Sequence, residues 1–342
     1  MTHAARPALS CIAAVAACAW AGAGLGASDA LPRLALDPAG LSVSGVSSGG
    51  YMATQFHVSF SSLVTGAGIF AAGPWYCARG SLSRALSECL DRDSSDPDAA
   101  GLVAAARRAA REGRIDPLEG LAQARVFVFR GSRDDTLARP VSDALVEFYT
   151  AFVPADSIRY VTDVPAAHGV PTLAAGGSCG LTATPYLNAC RYDGVGQMLS
   201  HLYRTLLPPR EPALAAAASG RGLRRFAQSA YDPLGSLAAT GFVYVPARCG
   251  HGTPCRLHIA FHGCRQGEEF VGESFVREAG YNAWAEANDL VVLYPQARRS
   301  WFLPLNPEGC WDWWGYQDPD YATRRGTQTS AIRNMVRALA GF

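Results

Sequence analysis

Residues 41–60 read LSVSGVSSGGYMATQFHVSF, and this stretch decides the fold. Its first four residues alternate apolar and polar side chains as a strand does, and Met52, Phe56 and Phe60 recur at helical spacing. Between strand and helix stands the pattern Gly-x-Ser-x-Gly, centred on Ser47. A serine on such a sharp turn needs small neighbours two residues away on either side, because the backbone there is crowded. The pattern predicts a nucleophilic Ser47, and the alternative is an ordinary Gly/Ser turn.

Outward from this stretch, apolar runs of strand length alternate with amphipathic runs of helix length. The strand-like runs are 41–44, 125–130, 157–164, 241–246, 257–261 and 290–294, and the helix-like runs are 49–60, 102–111, 141–152, 192–206, 275–288 and 328–339. This alternation is typical of a mostly parallel central sheet flanked by helices, so the expected fold class is α/β.

A serine nucleophile needs a general base, and the base needs a carboxylate to orient it. In α/β-hydrolases the acid and then the histidine follow the serine, each after a later strand. Asp134 follows the strand-like run that ends at Arg130, and His168 follows the run that ends near Val164. Both fit that order. Asp135 is the alternative acid, with a turn or helix cap as its structural role.

Acyl transfer also needs two backbone N–H groups directed at the tetrahedral oxygen. The residue after the nucleophile, here Ser48, supplies one, and a His-Gly motif after an early strand usually supplies the other. The motif His-Gly-Cys is present at residues 262–264, but it follows Ser47 in the chain.

Reading the chain from residue 241 through the C-terminal helix and on into residue 41 restores the conventional order. We therefore predict a circularly permuted α/β-hydrolase fold in which residues 31–342 form a single catalytic domain. Chain termini often lie close together on one surface, so a permutation of this kind is physically permissible.

Residues 1–30 are typical of an export signal. Arg6 precedes an uncharged, Ala-rich run over residues 8–25, and small residues follow at 26–30. The alternatives are a membrane-spanning helix and a lipoprotein box that ends at Cys18. We expect a secreted protein, with periplasmic retention or a lipid anchor on Cys18 as alternatives.

Eight cysteines follow the signal, and an even number in an exported chain suggests disulfides. Spacing favours the pairs Cys77–Cys89, Cys179–Cys190, Cys249–Cys255 and Cys264–Cys310. Metal binding is the competing use, but the chain has no Cys-x-x-Cys. His258 and His262 stand in a strand-like run, where four residues span about 13 Å and cannot share an ion. We expect no metal and no cofactor.

The charge balance excludes several functions. With 30 Lys+Arg against 29 Asp+Glu and 49% hydrophobic residues, the chain is neither disordered nor suited to nucleic acid. No run after the signal is long enough to span a bilayer. We expect a monomer without a transmembrane segment.

Together these stretches resemble secreted, single-domain poly(3-hydroxybutyrate) depolymerases with a circularly permuted α/β-hydrolase fold. The likeness covers about residues 38–342. It is carried by runs at 43–53, 72–74, 257–264, 293–297 and 306–313, the last of which reads NPEGCWDW and is specific. Residues 90–125 and 265–280 match weakly.

The resemblance implies Ser47 as nucleophile, Asp134 as acid and His168 as base. The implied reaction is hydrolysis of a polyester through an acyl-enzyme, which water releases as a 3-hydroxy acid or a short oligomer. A polyester is apolar along its methyl groups, so a groove lined with aromatic side chains suits it.

The resemblance also implies oxyanion donors at the amides of Ser48 and Cys264, and substrate contacts from Asn306 and Trp311. It supports the same four disulfides, among them the one that joins Cys264 to the aromatic loop. For Trp313 we expect core packing.

Two other functions are compatible with parts of this pattern. A feruloyl or acetyl-xylan esterase shares the His-Gly-Cys and Gly-x-Ser-x-Gly motifs, although the permuted order argues against it. A non-catalytic polymer-binding protein would keep the tryptophans and disulfides without needing Ser47, Asp134 and His168 in that order.

Overall fold

The computed structural model describes residues 1–3, 30–90 and 96–341. The predicted export signal, with Cys18, lies almost entirely outside the described residues. The strands are β1 (Leu36–Val46), β2 (Val64–Phe70), β3 (Arg125–Phe129), β4 (Ile158–Val161), β5 (Val170–Thr172), β6 (Gly177–Ser178), β7 (Leu187–Ala189), β8 (Leu223–Ala227), β9 (Thr240–Tyr244), β10 (Cys255–Phe261) and β11 (Leu290–Tyr294). The helices are α1 (Ser48–Ser59), α2 (Leu82–Ser87), α3 (Ala99–Arg111), α4 (Arg139–Thr150), α5 (Gly194–Tyr203), α6 (Glu211–Ser219), α7 (Glu268–Val271), α8 (Ser274–Glu278), α9 (Tyr281–Ala287) and α10 (Thr327–Ala340).

Eight of these strands form one sheet in the order β4-β3-β2-β1-β10-β11-β9-β8. From β4 to β11 the neighbours pair in parallel, and β9 runs antiparallel to both β11 and β8. The short strands β5, β7 and β6 form a second parallel sheet. A mostly parallel central sheet with helices around it confirms the predicted α/β fold class.

The central strands are apolar on both faces because helices cover both. On β11, Val291 and Leu293 join one cluster of buried side chains and Val292 joins the other. The first cluster includes side chains of α1, α4 and α10, such as Phe56, and the second includes side chains of α5 and α9, such as Met198. This alternation is what a strand buried on both faces requires.

A chain of buried polar groups connects β1 to β10. The two ring nitrogens of His258 lie 2.6 Å from the Ser42 hydroxyl and 2.7 Å from the Ser44 hydroxyl. Those serines are bonded in turn to the hydroxyls of Tyr203 and Tyr281, at 2.5 and 2.7 Å. Burial lowers the pKa of His258 to about 3, so the ring is neutral. The arrangement holds the strand that leads to Ser47 in register with β10.

β1 lies in the middle of the sheet, with β2, β3 and β4 on one side and the strands from the C-terminal part of the chain on the other. The Leu34 N–H donates to the Leu339 carbonyl at 2.8 Å, and the Arg33 guanidinium donates to the Gly341 carbonyl at 2.7 Å. The end of α10 therefore contacts the residues that lead into β1, as the predicted circular permutation requires. The permuted origin itself stays a prediction.

All four cysteine pairs favoured by the sequence are disulfides in the structure: Cys77–Cys89, Cys179–Cys190, Cys249–Cys255 and Cys264–Cys310. No helix within the described ranges is both long enough and apolar enough to cross a membrane.

Two regions differ from the sequence expectation. The helix predicted over 275–288 is two short helices, α8 and α9, separated at Gly280, whose φ of 104° is incompatible with a continuous helix. No helix or strand was predicted between residues 206 and 241, yet α6 and the edge strand β8 lie there. No side chain of α6 is buried, so its sequence carries no amphipathic pattern to detect.

Candidate active site

Ser47 occupies a sharp turn between β1 and α1. Its φ of 57° and ψ of −125° are unusual for a residue with a side chain, a conformation that typically costs about 1–3 kcal/mol. A Cβ atom at Gly45 would lie 2.1 Å from the Gly49 carbonyl oxygen, and one at Gly49 would lie 2.3 Å from the His262 oxygen. Only glycine fits at both positions, which explains the spacing of the motif.

Asp134 and His168 form a buried pair. The His168 Nδ1 lies 2.9 and 3.1 Å from the two carboxylate oxygens of Asp134, which also accepts hydrogen bonds from the Thr136 and Leu137 N–H groups at 2.9 Å. Burial alone would raise the pKa of Asp134, but His168 and these N–H donors hold it below its usual range. The carboxylate thereby fixes His168 with Nδ1 as donor and leaves Nε2 to act as a base.

Asp135 has a different position. Its carboxylate accepts a hydrogen bond from the Thr182 hydroxyl at 3.1 Å, and the Thr182 oxygen accepts from the His168 backbone N–H at 3.2 Å. Asp135 therefore supports the loop that carries His168, whereas Asp134 contacts the imidazole ring itself. This geometry favours Asp134 as the acid.

Ser47 and His168 line the same cavity, which has a volume of about 300 Å³. Gly263 and Cys264 contribute another part of its wall, and a Cβ atom at Gly263 would lie 3.4 Å from the Cβ of Ser47. The full lining is Val46, Ser47, Ser48, Tyr51, Leu90, Thr136, His168, Thr182, Tyr186, Gly263, Cys264, Arg265, Gln266 and Trp313. The fold thus brings the early serine motif and the late His-Gly-Cys motif together.

The two residues predicted to supply oxyanion donors, Ser48 and Cys264, both line the cavity beside Ser47. Ser48 is the first residue of α1, so its N–H has no intrahelical partner and lies at the positive end of the helix dipole. Cys264 stands in the turn after β10 and is tied by its disulfide to Cys310. In the same turn the His262 ring donates from Nδ1 to the Gly263 carbonyl (2.7 Å) and accepts at Nε2 from the Ala297 N–H (3.1 Å).

Asn306 does not line this cavity, and its predicted contact with substrate stays a prediction. Its side-chain amide donates to the carbonyls of Arg298 and Cys310 at 2.8 Å and to the Tyr316 hydroxyl at 2.9 Å. Its carbonyl accepts from the Cys310 N–H at 2.9 Å. With both ends of the amide occupied and the residue buried, Asn306 organises the loop that holds Cys310.

The two tryptophans of this loop have different positions relative to the cavity. Trp311 is fully buried, donates from its indole N–H to the His262 carbonyl at 3.0 Å, and does not line the cavity. Trp313 packs in the core as expected, since it is buried and belongs to the main apolar cluster, and its ring stacks on Tyr51 with ring centroids 4.3 Å apart. The same side chain also lines the cavity. Trp311 therefore supports the His-Gly-Cys turn, and Trp313 is the tryptophan that borders the cavity.

Several cavity residues have no counterpart in the sequence prediction. Tyr51, which stacks on Trp313, and Leu90 add apolar surface to the lining, and Tyr186 and Gln266 add polar groups. Tyr51 and Gln266 lie only a few residues from the predicted Ser47 and Cys264, and this proximity is the signal that could have found them.

Comparison with known proteins places the chain among polyester-degrading enzymes. It is 38% identical over 330 residues to a poly(3-hydroxybutyrate) depolymerase of Delftia acidovorans, which covers 95% of this chain but only 65% of the relative's length. It is 33% identical over 335 residues to a polyhydroxybutyrate depolymerase of Talaromyces funiculosus, covering 94% of this chain and 96% of the relative. No family model matches the chain.

Two solved structures share the fold, each with a TM-score of 0.83 and 32% sequence identity over 92% of this chain and 99% of the other. One is a PHB depolymerase from Penicillium funiculosum, and the other is a serine-to-alanine variant of a PHB depolymerase complexed with an R3HB trimer. Since a relative matched over nearly its whole length shares a third of its residues with this chain, the chain belongs to the poly(3-hydroxybutyrate) depolymerase family.

Proposed function

We propose that this protein is a serine esterase that hydrolyses poly(3-hydroxybutyrate) or a related polyhydroxyalkanoate with short side chains. The observation that carries the proposal is the convergence of Ser47, the His168–Asp134 pair and the turn at 262–264 on one cavity, in a member of this family. No metal or cofactor enters the proposed reaction.

In the proposed mechanism, Nε2 of His168 removes the hydroxyl proton of Ser47 as the Ser47 oxygen attacks an ester carbonyl. The amides of Ser48 and Cys264 stabilise the oxyanion, and buried Asp134 stabilises the imidazolium that forms. The imidazolium then protonates the departing alkoxide, leaving an acyl-enzyme. Water, activated by the same imidazole, releases a 3-hydroxy acid or an oligomer and restores the serine.

The shape of the cavity supports a polyester repeat. Tyr51, Leu90 and Trp313 supply apolar lining that suits the methyl groups of the chain, while Thr182 and Tyr186 lie among the polar residues of the lining. An apolar wall with a few convergent polar groups is the usual character of a small-molecule site.

A surface loop carries the exposed apolar side chains that attachment to a water-insoluble polymer requires. Residues 301–305 read Trp-Phe-Leu-Pro-Leu, and Phe302 and Leu303 are 83% and 93% exposed. The loop is closed at its base by reciprocal backbone hydrogen bonds of 2.9 Å between Ser300 and Asn306. A closed loop with large apolar side chains at its tip is suited to contact an apolar surface. We assign this tip, residues 301–305, to adsorption on the solid substrate.

The experiment that tests the proposal measures clearing of an opaque poly(3-hydroxybutyrate) suspension by the purified protein, beside release of ferulate from a feruloyl ester. We expect clearing with 3-hydroxybutyrate or its oligomers as products, and much slower ferulate release. Preferential release of ferulate would instead assign the protein to the carbohydrate esterases. Product analysis on polymers with short and medium side chains then defines the substrate class.

We further propose that the protein is exported. Four disulfides in one chain favour an oxidising compartment, in agreement with the signal predicted over residues 1–30. Fractionation of the producing cells, with sequencing of the mature N-terminus, separates free secretion from periplasmic retention and from a lipid anchor on Cys18.

A further inference from the structure

Gln266 stands two residues after Cys264, lines the cavity beside Ser47, and is only 1% exposed. A buried primary amide must satisfy two donors and an acceptor, so its partners show which groups it holds together. Here those partners belong to two separate loops of the site.

The carbonyl end of Gln266 holds the His-Gly-Cys turn. Its Oε1 accepts a hydrogen bond from the Gly263 N–H at 2.7 Å, and the Gln266 backbone N–H donates to the Gly263 carbonyl at 3.3 Å. The two bonds hold the N–H and the carbonyl of Gly263, and that carbonyl shares a peptide group with the Cys264 N–H. The side chain therefore constrains the direction of the Cys264 amide, which is the proposed oxyanion donor.

The amide end of Gln266 reaches a second loop, which contributes Tyr186 to the lining of the cavity. Its Nε2 donates to the carbonyls of Pro185 and Tyr186, at 3.0 and 3.2 Å. The Tyr186 carbonyl also accepts from the Val170 N–H at 3.0 Å, two residues beyond His168.

Gly169 makes this contact possible. A Cβ atom at that position would lie 2.6 Å from the Tyr186 carbonyl oxygen, so a larger residue would force apart the segment that carries His168 and the segment that carries Tyr186. One carbonyl group thus links Gln266 to the backbone that positions the base.

We propose that Gln266 is a positioning residue that fixes the distance between the Cys264 amide and the His168 imidazole. The inference rests on the proposed function, because it assumes that these groups act on one substrate carbonyl. Each tetrahedral step needs both groups in place at the same time. A misplacement of about 1 Å typically costs about 100-fold in rate.

The test compares two substitutions on a soluble ester. Gln266→Leu removes all side-chain bonds, whereas Gln266→Glu keeps the acceptor for Gly263 and, when ionised, turns a second oxygen toward two carbonyls. We expect kcat to fall by about 10- to 100-fold at pH 8 in both variants, with KM within about twofold.

The pH profile provides a signature that simple destabilisation would not produce. A carboxyl group that faces two carbonyl oxygens binds a proton readily, and the protonated group can donate again. We expect the ratio of Gln266→Glu to wild-type kcat to rise as the pH is lowered from 8 to 5, while the ratio for Gln266→Leu stays constant.

Gln228 offers a matched control. It is also fully buried, donates to the carbonyls of Ala238 and Gln296 at 2.8 and 3.0 Å, accepts from the Gln296 N–H at 2.9 Å, and does not line the cavity. We expect Gln228→Leu to lower the melting temperature as much as Gln266→Leu does, with kcat within about twofold of wild type.

A kcat for Gln266→Leu equal to that of wild type, or an equal loss in Gln228→Leu, would overturn the inference. A wild-type protein without esterase activity would instead overturn the proposed function.

Discussion

The turn at Ser47 and the loop tip at 301–305 both serve the proposed reaction, yet they are built in opposite ways. Around Ser47 the backbone is strained and enclosed, and glycines are required because carbonyl groups approach within 2.1 to 2.3 Å of where a Cβ would stand. The tip carries Phe302 and Leu303 almost fully exposed to solvent. Chemistry on one ester bond requires exact placement, whereas contact with a solid requires only exposed apolar area.

The comparison predicts a very large effect at the turn, for every ester. Ser47→Ala removes the proposed nucleophile, and we expect kcat to fall by about 10⁶-fold on a soluble ester, with polymer clearing abolished as well. Initial rates with both substrates check this. Full activity in the variant would show that Ser47 is not the nucleophile, and unchanged polymer binding without hydrolysis in the wild type would favour the non-catalytic binding protein.

The second prediction distinguishes the roles of the two neighbouring carboxylates, Asp134 and Asp135. Asp134→Asn keeps the shape of the side chain but presents His168 with an amide, which allows the wrong tautomer, and we expect kcat to fall by about 10⁴-fold. Asp135→Asn is the matched control, because it changes the same atoms one residue away and touches only the Thr182 hydroxyl. We expect a change of at most about threefold there. A reversed result would move the acid to Asp135.

Acid should lower the free energy of unfolding, because several buried groups bind or release protons when the protein unfolds. Burial lowers the pKa of His57 and His258 to about 3 and that of His262 to about 4, and it raises the pKa of Asp312 to about 6. Between pH 4 and 6, unfolding lets three histidines bind protons while Asp312 releases one, so the unfolded state binds about two more protons. The free energy of unfolding should therefore fall by about 3 kcal/mol for each unit by which the pH is lowered.

Chemical denaturation at several pH values between 4 and 6 measures this slope. In His57→Gln one proton no longer contributes, and we expect the slope to fall by about half. The loop tip at 301–305 contains no titratable residue and therefore contributes nothing to this slope. A stability that does not change with pH over this interval would contradict the neutral state of the buried histidines.

The smallest expected effect comes from substitutions at the loop tip, and it concerns hydrolysis of the solid polymer but not of a soluble ester. With Phe302→Ser and Leu303→Ser combined, we expect polymer clearing to fall by about 10-fold, a fraction of what full burial of two such side chains contributes. Hydrolysis of a soluble ester should stay at the wild-type rate. A matched control is the pair Leu207→Ser and Leu214→Ser, two other exposed leucines, which should change neither rate. Equal losses on both substrates would place the tip within the catalytic site.

The sequence predicted structure best where burial imposes a regular pattern of side chains or where two backbone segments come so close that only glycine fits. β11 was predicted with its observed bounds because its five residues are all apolar and buried. The glycine spacing around Ser47 predicted the turn for the same steric reason that the structure shows. The order of the strand-like runs placed Asp134 and His168 after β3 and β4, and the structure brings both to one point.

The sequence is least informative in loops, where no periodic pattern shows which way a side chain points. Trp311 and Trp313 are two residues apart in a segment with no regular structure, so nothing in the sequence shows which one faces the cavity. The side-chain amide of Asn306 could bind a ligand, but the hydrogen-bond partners it has in the structure all belong to the segment between β11 and α10. The bridging role of Gln266 depends on Pro185 and Tyr186, about 80 residues earlier in the chain, and long-range pairing of this kind leaves no local pattern.

The contact between Leu34 and Leu339 has a practical consequence for attaching this enzyme to a support. Both residues lie near the start of β1, and this strand bulges between Leu36 and Leu41 and spans about 20 Å along β10 before Ser47 is reached. A linker attached next to either residue would therefore project from the end of the sheet opposite the one where Ser47 and the cavity lie. An immobilised or fused form anchored there would present the opening outward, free to meet its substrate.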